Sequence, residues 1–180
     1  MRARTVGATY LLVGAIFAAF VAVLVAVVVW TTLALVVQRT ALIQPVVALV
    51  GLTAIVFVLM VVYRNFALIR GAASLRYFQT ATVDQPAEKL ERPARAYANL
   101  LELPVLFYAV CLLMLTTGTF DSVQVSLAWI FVAARYAHAL IHIGFNYVPL
   151  RFTAFLAGAT TLAVIWTRFA QQNLNWPFPT

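Results

Sequence analysis

The sequence predicts an all-α integral membrane protein with five spans, and three observations carry that prediction. Hydrophobic residues make up 64% of the chain and charged residues 9%, with a mean hydropathy of +0.97, against roughly 45 to 50% apolar and about 25% charged in soluble domains. The apolar residues form long runs, the first of which, Val6 to Val37, holds 32 residues without a charge. A length of 180 residues leaves room for about five spans of about 20 residues each, and for no sizeable soluble domain.

The first span follows Arg2 and Arg4. As a helix its charge-free run would measure about 48 Å against a hydrocarbon core of about 30 Å, so it must tilt or protrude. The run is too long for the apolar region of a signal peptide and has no small-x-small cleavage site, so it reads as a retained helix. Arg39 to Gln44 read as a short turn, and Pro45 suits the first turn of a second span that stays apolar to Tyr63. Beyond it, Arg64, Arg70 and Arg76 recur among aromatic and aliphatic residues, as in a helix emerging into the headgroup layer with its arginines snorkelling. Thr80 to Arg92 is the most polar stretch and reads as the longest loop.

Pro93 is expected to start the third span, which runs to about Thr117 with Pro104 inside it. A proline there frees the carbonyl of Leu100 and bends the helix near Glu102. Gly118 and Asp121 to Ser122 make the next turn. The fourth span then reads from about Val123 to Tyr147, closed by Val148, Pro149 and Leu150. The fifth begins near Arg151 and ends near Arg168, and the tail Gln171 to Thr180 reads as interfacial or disordered. As units, these give an additional N-terminal transmembrane helix over 1–41, a membrane domain over 42–170 and a tail over 171–180.

Twelve Lys plus Arg against five Asp plus Glu give a net charge of +7, which in this setting reads as topology signal and contact with anionic membrane lipids rather than as a nucleic-acid surface. The N-terminus, the loop from Arg64 to Arg95 and the turn at Arg151 share one side and hold nine of the positives; the other side has Arg39 and Arg168. The positive-inside rule then places the N-terminus in the cytoplasm and the C-terminus outside. The lone Cys111 sits in an apolar run and reads as a small hydrophobe.

Against this background a few polar residues stand out. Arg95, Asn99 and Glu102 lie at the start of the third span, and Arg135, His138 and His142 lie inside the fourth, with Arg151 nine residues further on. Each ionisable group near a bilayer centre costs roughly 2.5 to 3.5 kcal/mol on the lenient insertion scale, so several together need a shared reason. At about 100° per residue, Arg95, Asn99 and Glu102 fall on one stripe, and Arg135, His138, His142 and Asn146 fall within about 80°. The two stripes are expected to face each other or a subunit boundary. Three uses fit: a polar ligand site between helices, an interhelical hydrogen-bond network, or a metal site. The His138 and His142 spacing would let two imidazoles share a metal with Glu102, but Arg95 and Arg135 crowd the same stripes with positive charge, and no metal is expected. A channel or transporter also places charges in the membrane, although the chain shows no pair of similar halves.

The phrase Glu91-Arg92-x-x-Arg95-Ala96-x-x-Asn99-x-x-Glu102-x-Pro104, followed by Arg135-x-x-His138-x-x-x-His142 and then Arg151, resembles the MAPEG family, the membrane-associated proteins in eicosanoid and glutathione metabolism. The phrases Asn99 to Tyr108 and Ala128 to Val132 resemble its uncharacterised bacterial branch, and the resemblance runs from about Pro45 to Trp166. It implies a four-helix bundle assembled as a homotrimer, with glutathione as cosubstrate between subunits. It also implies a transferase or peroxidase activity on a lipophilic small-molecule substrate, in a bacterial inner membrane. By position, Arg95, Asn99 and Glu102 would hold the tripeptide's charged ends, Arg135, His138 and His142 would add contacts, and Arg151 would stabilise the thiolate as the catalytic residue. The family also holds a non-enzymatic lipid-binding member, so a non-catalytic lipid- or partner-binding scaffold is the alternative. His142 stands where eukaryotic members commonly have tyrosine, and Phe152 follows Arg151 where a hydroxyl can assist. The segment from Glu102 to Pro104 is shorter than in several members. The first helix lies outside the resemblance.

Overall fold

The computed structural model describes residues 14–27, 38–74, 77 and 88–174. Within these it is helical, with α1 at Gly14–Val27, α2 at Arg39–Ile69, α3 at Glu88–Leu100, α4 at Leu103–Thr117, α5 at Ser122–Ile143 and α6 at Val148–Asn173. Helices α3 and α4 together make one span-length unit, so four units, α2, α3 with α4, α5 and α6, are long and apolar enough to cross a membrane. The apolar runs after Arg39 thus become four spans. Val47, Val50, Ile55, Val58 and Val62 on α2 face outward and exposed, an arrangement suited to lipid rather than water.

Helix α2 begins at Arg39, six residues before the expected first turn at Pro45, and Pro45 lies inside it. Proline removes one ladder bond here, but Leu42 in the added turn is completely buried and so is Pro45, so packing holds the extra turn. At its other end the helix continues past Tyr63 to Ile69, where the Arg70 guanidinium stacks 4.9 Å from the centre of the Phe66 ring and Gly71 turns the chain with φ 63°. Arg76 and most of the polar loop fall outside the described residues.

Helix α3 is already formed at Glu88, five residues before the expected start at Pro93. Glu88 and Glu91 in the first turn suit the positive end of a helix, which offsets the bond lost at Pro93. The expected bend occurs at Leu101–Glu102, where the helix breaks and Pro104 opens α4. Helix α4 ends on Gly118, whose φ of 72° is the left-handed conformation that glycine adopts without a Cβ penalty.

A capping box starts α5: the Asp121 carboxylate accepts from the Gln124 backbone N–H at 3.0 Å, and the Gln124 amide oxygen accepts from the Asp121 N–H at 3.1 Å. The far end differs from expectation. Helix α5 stops at Ile143 rather than Tyr147, and Val148, Pro149 and Leu150 open α6 instead of closing α5. Gly144 explains the stop, because a Cβ there would lie 2.9 Å from the backbone oxygen of Leu140. Asn146 follows with φ 50°, and Pro149 is suited to a first helical turn.

Helix α5 packs most extensively on α6 and also touches α2 and α3. Leu42, Leu49, Leu52 and Val56 of α2 meet Phe107, Val110 and Met114 of α4 and Leu127, Phe131 and Val132 of α5 in one core, where Phe107 and Phe131 stack with ring centres 4.6 Å apart. The Tyr136 hydroxyl donates to the Ala48 carbonyl at 2.9 Å, tying α5 to α2. Helix α1 lies against the α5 and α6 pair. Its Leu24 is buried and Phe20 packs beside it, leaving an apolar cavity of about 410 Å³ bounded by Ile16, Phe20, Ile130, Ala134, Leu150 and Ala157 among others. The 14 described residues of α1 are fewer than the about 20 of a span, and the rest of the expected first span falls outside the described residues, as does the tail after Leu174.

Candidate functional site

Arginine 135 anchors the site. It points inward from α5 with 0% exposure, and its Nη2 donates to the Asn99 side-chain oxygen of α3 at 2.9 Å. The guanidinium also lies 5.7 Å from the centre of the Phe155 ring on α6, a cation–π contact that offsets part of its desolvation. Among the described residues no carboxylate stands within salt-bridge distance of it, and its Nε and Nη1 are buried without a hydrogen-bond partner. Each buried donor left unmade costs about 1 to 3 kcal/mol or more for a charged group.

One turn further along α5 is His138, buried, with Nδ1 3.1 Å from the Arg151 carbonyl of α6. A carbonyl can only accept, so the proton sits on Nδ1 and Nε2 is left on the other edge of the ring. His142, one more turn along, is also buried; its ring lies edge-on to His138 with centres 5.7 Å apart, and its Nδ1 has no partner among the described residues. Asn99, His138, His142, Val148, Arg151, Phe152 and Phe155 enclose a cavity of about 230 Å³. Among the described residues no three His, Cys, Asp or Glu side chains are grouped as a metal cage requires.

The two polar stripes therefore meet in part. Asn99, Arg135, His138, His142 and Arg151 come together. Arg95 and Glu102 do not: both are exposed, Glu102 at the break between α3 and α4, and among the described residues Arg95 reaches Glu88, donating to its carbonyl at 3.4 Å with the carboxylate 4.0 Å away. Asn146 leaves the α5 stripe because the helix ends before it. Arg151 lies in the first turn of α6 and donates from Nη1 to the Asn146 side-chain oxygen at 2.7 Å.

Sequence reading missed three contributors. Phe155 supplies the ring over Arg135, and one turn of helix after Arg151 was the available signal for it. Glu88 accepts from Arg92 Nε at 3.3 Å and from Asn146 Nδ2 at 2.7 Å; its spacing to Arg92 on a helix would have paired those two, but nothing in sequence joins it to residue 146. Arg92 also donates to the Gly144 carbonyl, so the turn between α5 and α6 is tied to α3 twice.

The pattern of buried Arg and His and partly buried Asn on these helices coincides with a family match: the model of the MAPEG family aligns with residues 42–170. The chain belongs to the MAPEG family. Membership and the four span-length helices together make it an integral membrane protein. Comparison with curated proteins and with solved structures gave no match. Every residue of the cavity lies inside the MAPEG segment, whereas α1 lies outside it.

Proposed function

We propose that this MAPEG protein binds glutathione and transfers it to, or uses it to reduce, a lipophilic substrate that arrives from the bilayer. The observation that supports this reading is the buried Arg135, with two donor nitrogens that lack a partner among the described residues, bonded to Asn99, which lines a cavity together with Arg151, His138 and His142. A buried cation without a carboxylate favours an anionic ligand, and glutathione carries two carboxylates and an acidifiable thiol. Arg151 supplies positive charge for the thiolate, reinforced by the N-terminal end of α6. In conjugation the thiol proton passes to solvent, sulfur bonds to the electrophilic carbon, and the leaving group departs with the bonding electrons.

A homotrimer completes the site. The cavity of about 230 Å³ is below the roughly 300 to 1,000 Å³ of ligand pockets, and Arg95 on α3 and Glu102 at its break with α4 are exposed, open to a ligand shared with a neighbouring copy. On this reading the first helix is an added span around that assembly. The positive-inside asymmetry puts the N-terminus in the cytoplasm of a bacterial inner membrane and the C-terminus outside, which reporter fusions near Pro86 and after Thr180 would test by falling on opposite sides.

The deciding experiment combines thermal unfolding of the protein in nanodiscs with ultraviolet difference absorbance as glutathione is added. Glutathione should raise the midpoint, since a ligand bound only by the folded state stabilises it, and should give a thiolate band at neutral pH. Turnover is then measured with an aryl halide and with a lipid hydroperoxide. Absence of stabilisation, thiolate and turnover together would leave the non-catalytic lipid- or partner-binding scaffold in its place.

A further inference from the structure

The four-residue connection between α5 and α6 carries a relay of side chains. Asn146 holds φ 50°, a left-handed conformation that Asn adopts more readily than other residues with a side chain, and its backbone N–H donates to the Ile141 carbonyl at 2.8 Å. In that pose its amide faces two ways. The oxygen accepts from Arg151 Nη1 at 2.7 Å and the nitrogen donates to the Glu88 carboxylate at 2.7 Å. A guanidinium can only donate and a carboxylate can only accept, so a single orientation of the amide serves both neighbours. Glu88 is itself braced by Arg92, and the Arg92 link to the Gly144 carbonyl holds the same turn from the other side.

We propose that Asn146 is a positioning residue for Arg151, a neutral spacer that passes the anchorage of Glu88 to the guanidinium while keeping the carboxylate from pairing with it. The purpose for which Arg151 is held rests on the glutathione reading above. Hydrogen bonding alone would have been served by Asp at 146, or by Glu88 reaching Arg151 directly. Either would set a full negative charge against the guanidinium and offset its field at the cavity, because the interaction of charges weakens with separation. An amide orients without that cancellation.

Three variants separate the possibilities. Asn146→Gly keeps a backbone that adopts positive φ and deletes only the amide; Asn146→Asp keeps a hydrogen-bond acceptor and adds charge; Glu88→Gln keeps the bond and removes the anchoring charge. The first readout needs no glutathione: the rate at which an arginine-selective dicarbonyl labels Arg151 in the full chain in nanodiscs, mapped by peptide mass, with Arg39 as internal reference. Labelling of Arg151 should rise about tenfold in Asn146→Gly and less in Glu88→Gln, while Arg39 stays constant. The second readout is the pH midpoint of thiolate formation on glutathione. It should move up by about one unit in Asn146→Gly and further in Asn146→Asp, one unit being tenfold in thiolate at a given pH, with the dissociation constant changed less than threefold. Unchanged labelling of Arg151 in Asn146→Gly overturns the positioning role whatever glutathione does. A midpoint in Asn146→Asp equal to wild type overturns the spacer role. No thiolate in wild type, with labelling still responsive, rejects the glutathione reading while leaving Arg151 positioned by Asn146.

Discussion

The two ends of the α5–α6 pair hold the same kind of residues in opposite states. At one end Arg168 meets a carboxylate, Asp121, at 2.6 Å, and the surrounding groups pair with one another: Gln124 with Gln172 at 3.1 Å, Gln172 with Asp121 at 3.4 Å, and Thr119 with Asn173 at 3.0 Å. At the other end Arg135 is more deeply buried and meets an amide instead of a carboxylate; among the described residues it has two buried nitrogens without a partner, and Arg168 one, Nε. The first cluster closes on itself, as a structural clasp does. A cavity adjoins both clusters, about 200 Å³ lined by Arg168 at the first and about 230 Å³ lined by Asn99, His138, His142 and Arg151 at the second, so what sets the second apart is that among the described residues its cations meet no carboxylate within salt-bridge distance there. Polarity by itself does not distinguish structure from function; the balance of donors and acceptors does.

The largest effect expected from this contrast is at Arg151. On the proposed glutathione reading, replacing it by Ala should lower glutathione-dependent turnover by about 10²-fold or more, the scale of removing one preorganised electrostatic contact, with the oligomeric mass unchanged. Equal turnover in the variant would remove Arg151 from the chemistry.

Arg135→Met should come next and carries a sign that a clasp could not give. Replacing a buried ionic group by a well-packed apolar one is neutral or stabilising by about 1 to 4 kcal/mol, so the ligand-free variant should unfold at or above the wild-type midpoint while losing the stabilisation by glutathione. A variant less stable than wild type, with glutathione stabilisation intact, would make Arg135 a structural residue.

At the clasp the outcome should reverse. Asp121→Ala removes an N-cap and an ion-pair partner and should cost about 1 to 2 kcal/mol without changing glutathione affinity. Burial alone would raise the Asp121 carboxyl, but the Arg168 hydrogen bond, the Gln124 backbone N–H and the Arg168 charge outweigh it and hold it below the ordinary carboxylate range. A depressed carboxyl contributes stability that is present above its unfolded value, about 3.9, and is lost as pH falls through the lower folded value. Unfolding midpoints of wild type should therefore fall more steeply on acidification below about pH 4 than those of Asp121→Asn. Parallel curves would show that the clasp does not depend on that charge.

The smallest effect is expected beside Arg135, at Gly158, where an added Cβ would sit 3.7 Å from Ala134 and 3.8 Å from Arg135, ordinary contact distances. Gly158→Ala should stabilise α6 by up to about 1 kcal/mol through helix propensity and leave glutathione affinity unaltered. A loss of affinity would mean that Arg135 moves into that space when ligand binds.

How much of this was legible in sequence depends on the range of the cause. The four spans after Arg39 were readable because a bilayer demands runs of apolar residues, and the bend near Glu102 because proline acts on its own neighbours. The meeting of Asn99 with Arg135 followed from two polar stripes that had few alternatives in an apolar chain. Helix ends were less readable. Pro45 and Pro93 suggest starts, yet burial of Leu42 and the acidic residues at Glu88 and Glu91 support helix before each of them. Gly144 and Asn146 decided the end of α5 over the stronger-looking Pro149. The Glu88 link to Asn146 joins residues 58 positions apart, and no local pattern records such a contact. The sequence shows Asp121 as part of a turn; the Asp followed by Gln three residues later has capping-box spacing, while its partner Arg168 comes from the far end of another helix.

Along α5 burial deepens from His142 at 7% exposure through His138 at 5% to Arg135 at 0%. At about 1.5 Å per residue these groups descend from the α5–α6 turn over about 10 Å of helix, with Arg151 and Asn146 at the top and Asn99 beside the lowest. On the proposed ligand reading an anion would give up its water in stages, meeting a nitrogen at each depth before the next shell is stripped. The cost of dehydration would then be a staircase rather than a cliff, with the Arg135 guanidinium behind Asn99 at the deepest step.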